Sequence, residues 1–84
     1  MRVPSRPGLL TMPRRSRDLL TIGRNMRRVR RQRGLSQEKL GFAAKLDRTF
    51  ISGIERGVRS YSIKSLIKIA RALHVKPGEL LRGV

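Results

Sequence analysis

Residues 47–57, Asp-Arg-Thr-Phe-Ile-Ser-Gly-Ile-Glu-Arg-Gly, read as one short helix with both ends marked. Asp47 suits the N-cap, where its carboxylate would accept a bond from an amide of the first turn. Gly57 suits the stop, because it enters the left-handed region without a Cβ penalty. Ile51 and Ile54 lie three apart and so face one side. Arg48, Thr49, Ser52 and Gly53 take the other faces and carry little apolar surface. A helix this short does not stand alone in water. It must be held by neighbours, which leaves its polar face free to read something. Directly upstream, residues 36–46 supply a second short helix, with Ser36 as cap and Leu40 and Ala44 inward at i, i+4. Gly41 costs that helix about 1 kcal/mol relative to Ala, so a close crossing against the following helix is expected there.

Two short helices joined by a few residues at most form the helix-turn-helix pattern, whose second helix enters the DNA major groove. The charge points the same way. Lys and Arg total 21 against five acids, a net charge of +16 in 84 residues, and such a balance calls for a polyanion. An anionic membrane would want broad apolar and basic faces on one helix, and the Arg-rich segment described below has only a narrow apolar stripe. No apolar run is long enough to span a bilayer. With no Cys and one His, His74, a metal site is not expected. An apolar fraction of 38% supports a small all-helical core but no internal substrate cavity. No nucleophile–base pair, acidic pair or metal cluster stands out, so no enzyme activity, cofactor or small-molecule ligand is expected.

Residues 1–17 hold three of the four prolines, five arginines and no acid, and are predicted to be a disordered basic arm. The domain proper is placed at 18–84. A first helix over 18–33, capped by Asp18 or Thr21, carries Ile22, Met26 and Val29 as its core stripe and ends at Gly34. Leu35 then turns inward. Val58 to Tyr61 form a loop, and Ser62 caps a fourth helix whose apolar face is Ile63, Leu66, Ile67, Ile69, Ala70 and Leu73. Pro77 opens a last helix, where its missing amide costs nothing. No segment alternates with period two.

Arg30, the run Gly34-Leu35-Ser36-Gln37-Glu38, Leu40, Ala44, Ile51-Ser52, Ile54-Glu55-Arg56-Gly57, Leu66, Ile69-Ala70, Ala72-Leu73, Val75 and Leu80 together form a signature. Over residues 22–81 the chain resembles the Cro/C1-type (XRE family) helix-turn-helix domain, and the resemblance implies an all-α, five-helix lambda-repressor-like fold. Residues 46–56 with 62–66 look most like the controller proteins of restriction–modification systems. Two positions depart from the family: Lys45 replaces the usual turn Gly, at a cost on the order of 1 kcal/mol if the turn is left-handed, and Tyr61 stands where many members have Pro.

The resemblance implies an inward ion pair between Arg30 and Glu55; taken alone, Arg30 is one more solvated arginine. It implies base reading by Arg48, Thr49, Ser52 and Gly53. Arg48 suits guanine N7 and O6, and Thr49 suits a thymine methyl or a polar base edge. Gly53 has no side chain, which would let the helix lie deep. It implies DNA backbone contacts by Gln37 at a helix N-terminus and by Arg59, Ser60, Tyr61 and Lys64; Arg56, further along the helix, is placed with the backbone contacts, within reach of base or phosphate. Leu80, Leu81 and Val84 exceed what a small core needs and suggest a two-fold dimer patch. The expected protein is therefore a cytoplasmic, homodimeric, sequence-specific regulator of transcription on double-stranded DNA with a palindromic operator. The alternatives are an antitoxin that also represses its own operon and a coating protein without sequence preference. The aromatic content of 4% disfavours the latter on single strands.

Overall fold

The computed structural model describes residues 17–84, which form five helices and no strand. In order they are α1 (Arg17–Gln32), α2 (Gln37–Ala44), α3 (Arg48–Glu55), α4 (Ile63–Ala72) and α5 (Pro77–Leu80). The expected arm lies outside the described residues except for Arg17, which opens α1. Asp18 therefore sits in the first turn of α1 and Thr21 inside the helix, so neither caps it.

The termini follow local chemistry. Ser36 Oγ accepts from the Lys39 amide at 3.0 Å, and Ser62 Oγ accepts from the Ser65 amide at 3.1 Å. Asp47 departs from expectation. It holds the extended N-cap conformation, but its carboxylate makes no capping bond. The backbone carbonyl of Asp47 accepts from Phe50 and Ile51 instead. The α2–α3 turn keeps a left-handed residue although that residue is Lys45, with φ 60°, and the Leu46 amide closes the turn on the Gly41 carbonyl at 2.8 Å.

One core joins all five helices. Met26, Leu40, Ile51, Ile54, Ile69 and Leu80 are fully buried within it, one or two from each helix, together with Leu73 at the C-cap of α4. Leu80 is thus committed to the core of its own chain and is unavailable to a dimer patch, because α5 is short and must anchor through its single buried side chain. Ile63, expected on the inner face of α4, is instead 70% exposed. It is the first residue of α4, before the helix settles on the core.

Two glycines set how closely the helices meet. A Cβ at Gly41 would lie 2.6 Å from the Leu46 carbonyl oxygen, so α2 can press on the turn and the start of α3 only because the atom is missing. A Cβ at Gly23 would lie 2.5 Å and 2.7 Å from the carbonyl oxygens of Ile54 and Glu55. The backbone of α1 therefore rests on the last turn of α3.

Candidate nucleic-acid interface

Beneath α3 sits the charged pair expected from the sequence. Arg30 and Glu55 are both buried and meet in two parallel bonds, Nε to Oε2 at 2.6 Å and Nη2 to Oε1 at 3.1 Å. The geometry is bidentate, the strong form of this contact. Arg30 Nη1 also donates to the Leu35 carbonyl at 2.7 Å, which fixes the chain entering α2. Arg27 approaches Glu55 Oε1 at 3.5 Å. Burial pushes the Glu55 carboxyl up. Hydrogen bonds from Arg30 and Gln37 and the charges of Arg30 and Arg27 outweigh that and hold it below its ordinary value.

Gln37 is the third partner of this network. Its Nε2 donates to Glu55 Oε1 at 3.0 Å, so its amide group spans from the start of α2 to the end of α3. A DNA phosphate is the partner expected for Gln37, together with the free amides of the helix N-terminus. The structure ties the Gln37 side chain to the buried carboxylate, while its main-chain amide stays in the first turn of α2.

Above the pair, Arg48 and Thr49 are exposed at the start of α3 and Ser52 is partly so. Arg56 Nε donates to Ser52 Oγ at 3.3 Å, which lays that guanidinium along the helix. Gly53 is buried. The side chain of Arg59 comes back from the α3–α4 loop to cover it; a Cβ there would meet Arg59 Cβ at 3.2 Å and Nε at 3.4 Å. The same guanidinium lies 5.3 Å from the centre of the Phe50 ring, a cation–π distance. Gly53 thus makes room for Arg59, and Arg59 rather than Gly53 forms the surface there. Phe50 was not singled out from the sequence. Its i, i+3 spacing to Gly53 with an arginine shortly downstream was the signal available.

Ser60 and Lys64 are exposed beside this face. Tyr61 is different. Its hydroxyl is buried with no hydrogen-bond partner, its ring packs on the core, and burial raises its pKa. The expected Tyr61–phosphate bond has no exposed oxygen to make it. At the far end of the chain Leu81 is 37% and Val84 59% exposed. Among the described residues no three metal-ligating side chains converge, and no helix is long and apolar enough to cross a membrane.

The arrangement is a short helix, locked from below by ion pairing and close packing, with an exposed face of Arg, Thr and Ser flanked by further cations. It suits the edge of a base pair and the phosphates beside it. Comparison with known proteins agrees. The helix-turn-helix family pattern matches residues 26–80. Control protein C.BamHI of Bacillus amyloliquefaciens is 46% identical over 63 residues, covering 74% of this chain and 78% of that protein. The restriction–modification controller protein C.AhdI from Aeromonas hydrophila superposes with a TM-score of 0.74 at 44% identity, over 75% of this chain and 96% of that one. C.Esp1396I bound to a 19 base pair DNA duplex superposes with a TM-score of 0.72 at 38% identity, over 77% of this chain and 87% of that one.

Proposed function

This chain belongs to the helix-turn-helix family, with restriction–modification controller proteins among its relatives, and on that premise we propose that it is a homodimeric regulator of transcription that reads a palindromic operator. The carrying observation is the exposed Arg48–Thr49–Ser52 face on a helix fixed by the Arg30–Glu55 pair. Arg48 and Thr49 read bases. Arg56 and Arg59, lying along the helix, and Ser60, Lys64 and the first amides of α2 hold the backbone to either side. A role in controlling restriction–modification genes, in the bacterial cytoplasm, follows from the likeness to C.BamHI and C.AhdI.

Dimerisation rests on Leu81 and Val84, apolar and exposed next to one another at the end of α5. Two-fold dimers of this motif bind half-sites about one helical turn apart on DNA, and that is the spacing expected of this one. The test is selection of sites from a random duplex pool at physiological salt with excess competitor, since a large phosphate contribution masks specificity at low salt. An enriched inverted repeat with half-sites about one turn apart is the expected result. Tight binding with no enriched sequence would overturn the reading in favour of charge-driven coating.

A further inference from the structure

Asn25 is a polar residue on the inner side of α1, 6% exposed, between the core positions Ile22, Met26 and Val29. Its Nδ2 donates to two main-chain carbonyls from the end of the chain, Leu80 at 2.9 Å and Arg82 at 2.8 Å. Its Oδ1 accepts from Arg28 Nη1 at 3.1 Å. Both amide protons are therefore used, and the side chain is held in one orientation. The two carbonyls belong to the last turn of α5 and the residues after it, which a helix leaves without partners of their own. The terminal turn is itself ordered by Leu81 and Val84 amide bonds to the carbonyls of Gly78 and Leu81, and Gly83 packs beside Thr21 of α1.

An apolar residue would bury more favourably here, and Asn is a poor helix former. A hydrophobic contact is non-directional, whereas two bonds from one amide to carbonyls two residues apart fix both position and rotation. What they fix is the segment that carries Leu81 and Val84. Two residues earlier on the same helix, Gly23 fits against the carbonyls of Ile54 and Glu55 at the end of α3. One rigid helix thus registers the reading helix through Gly23 and the terminal segment through Asn25.

We propose that Asn25 is a positioning residue for the dimer: by clamping the 80–82 backbone to α1, it sets the distance and angle between the two reading helices, and so the half-site spacing the protein accepts. This rests on the dimer reading above. A purely structural Asn25 would change melting temperature and leave spacing preference alone.

The experiment uses the full chain with Asn25→Leu, which refills the site without the two bonds. Affinity is measured for duplexes carrying the selected operator with its half-site spacing shortened by one base pair, unchanged, or lengthened by one. Wild type is expected to prefer its own spacing, and the variant to lose that preference by about tenfold while binding a single half-site as well as wild type. A folded variant with the wild-type spacing preference overturns the assignment. Should the leucine variant not fold, Asn25→Ala breaks the same bonds and is read on the same duplexes. A Leu81→Lys, Val84→Lys double variant separates the two readings. If it sediments as a monomer, the dimer face stands and the spacing result judges Asn25 alone; if it stays dimeric, the dimer face falls and the Asn25 proposal with it.

Discussion

A carboxylate with no exposed side-chain surface is tolerable only when it is paired with a charge and both its oxygens are hydrogen-bonded. Glu55 meets that condition through Arg30 and Gln37. Removing one partner of such a pair costs about 3–5 kcal/mol, because it strands the other. Glu55→Ala is therefore expected to lower the melting temperature by more than about 10 °C in a domain this size, with site preference intact wherever the protein remains folded; calorimetry with a binding titration checks both. The lowered Glu55 pKa fixes the sign with pH. Its folded value lies below its unfolded one, so the stabilisation is complete above the ordinary carboxylate range and is lost as pH falls through the folded value. The melting-temperature gap between wild type and Glu55→Gln should close on acidification. Tyr61 is the opposite case. Its buried hydroxyl has no partner, so Tyr61→Phe should be neutral or stabilising by about 1 kcal/mol and leave DNA affinity unchanged. A loss of affinity would mean that the hydroxyl reaches a phosphate after all. Arg48→Ala should cost roughly 1–3 kcal/mol on the selected site and far less on random duplex; equal losses would make Arg48 a phosphate contact.

Among elements, α1 is the support on which α3 and α5 are set. Gly23 shows how tightly. Alanine is the better helix former by about 1 kcal/mol, yet a Cβ there would drive into two α3 carbonyls. Backbone oxygens cannot rotate away as a side chain can, so α1 and α3 must separate. Gly23→Ala is expected to destabilise by about 1–3 kcal/mol. Gly78→Ala, where nothing lies within 4 Å, should change stability by less than about 1 kcal/mol and in the stabilising direction. Denaturant unfolding of the two variants tests whether crowding or helix propensity decides at position 23.

On the scale of the whole molecule, a charge of +16 in 84 residues makes affinity a matter of salt as much as of sequence. Each phosphate contact contributes about −0.9 to the slope of log K against log salt. Removing the Arg59 or Lys64 charge should flatten that slope by about one phosphate while leaving site preference in place. Filter binding across a salt series reads both. The exposed Leu81 and Val84, on which the proposed dimer rests, lie at the end of the sequence, remote from α3 but joined to it through α1.

Much of this protein follows from short-range rules. The capping serines, the inward stripe of α1, the Ile51–Ile54 side of α3 and the exposed Arg48 and Thr49 are set by helical periodicity and by residue chemistry within a few positions, which is why a sequence displays them. What a sequence does not display is set by distant partners. Leu80 is fully buried among core residues that all lie earlier in the chain; Gly53 lies under an arginine from the next loop; Gln37 turns to a carboxylate 18 residues away; and Asn25 clamps carbonyls 55 and 57 residues on. Periodicity tells a side chain which way to face. Only the packed chain brings the partner that decides whether a polar group is buried, satisfied or left to meet DNA.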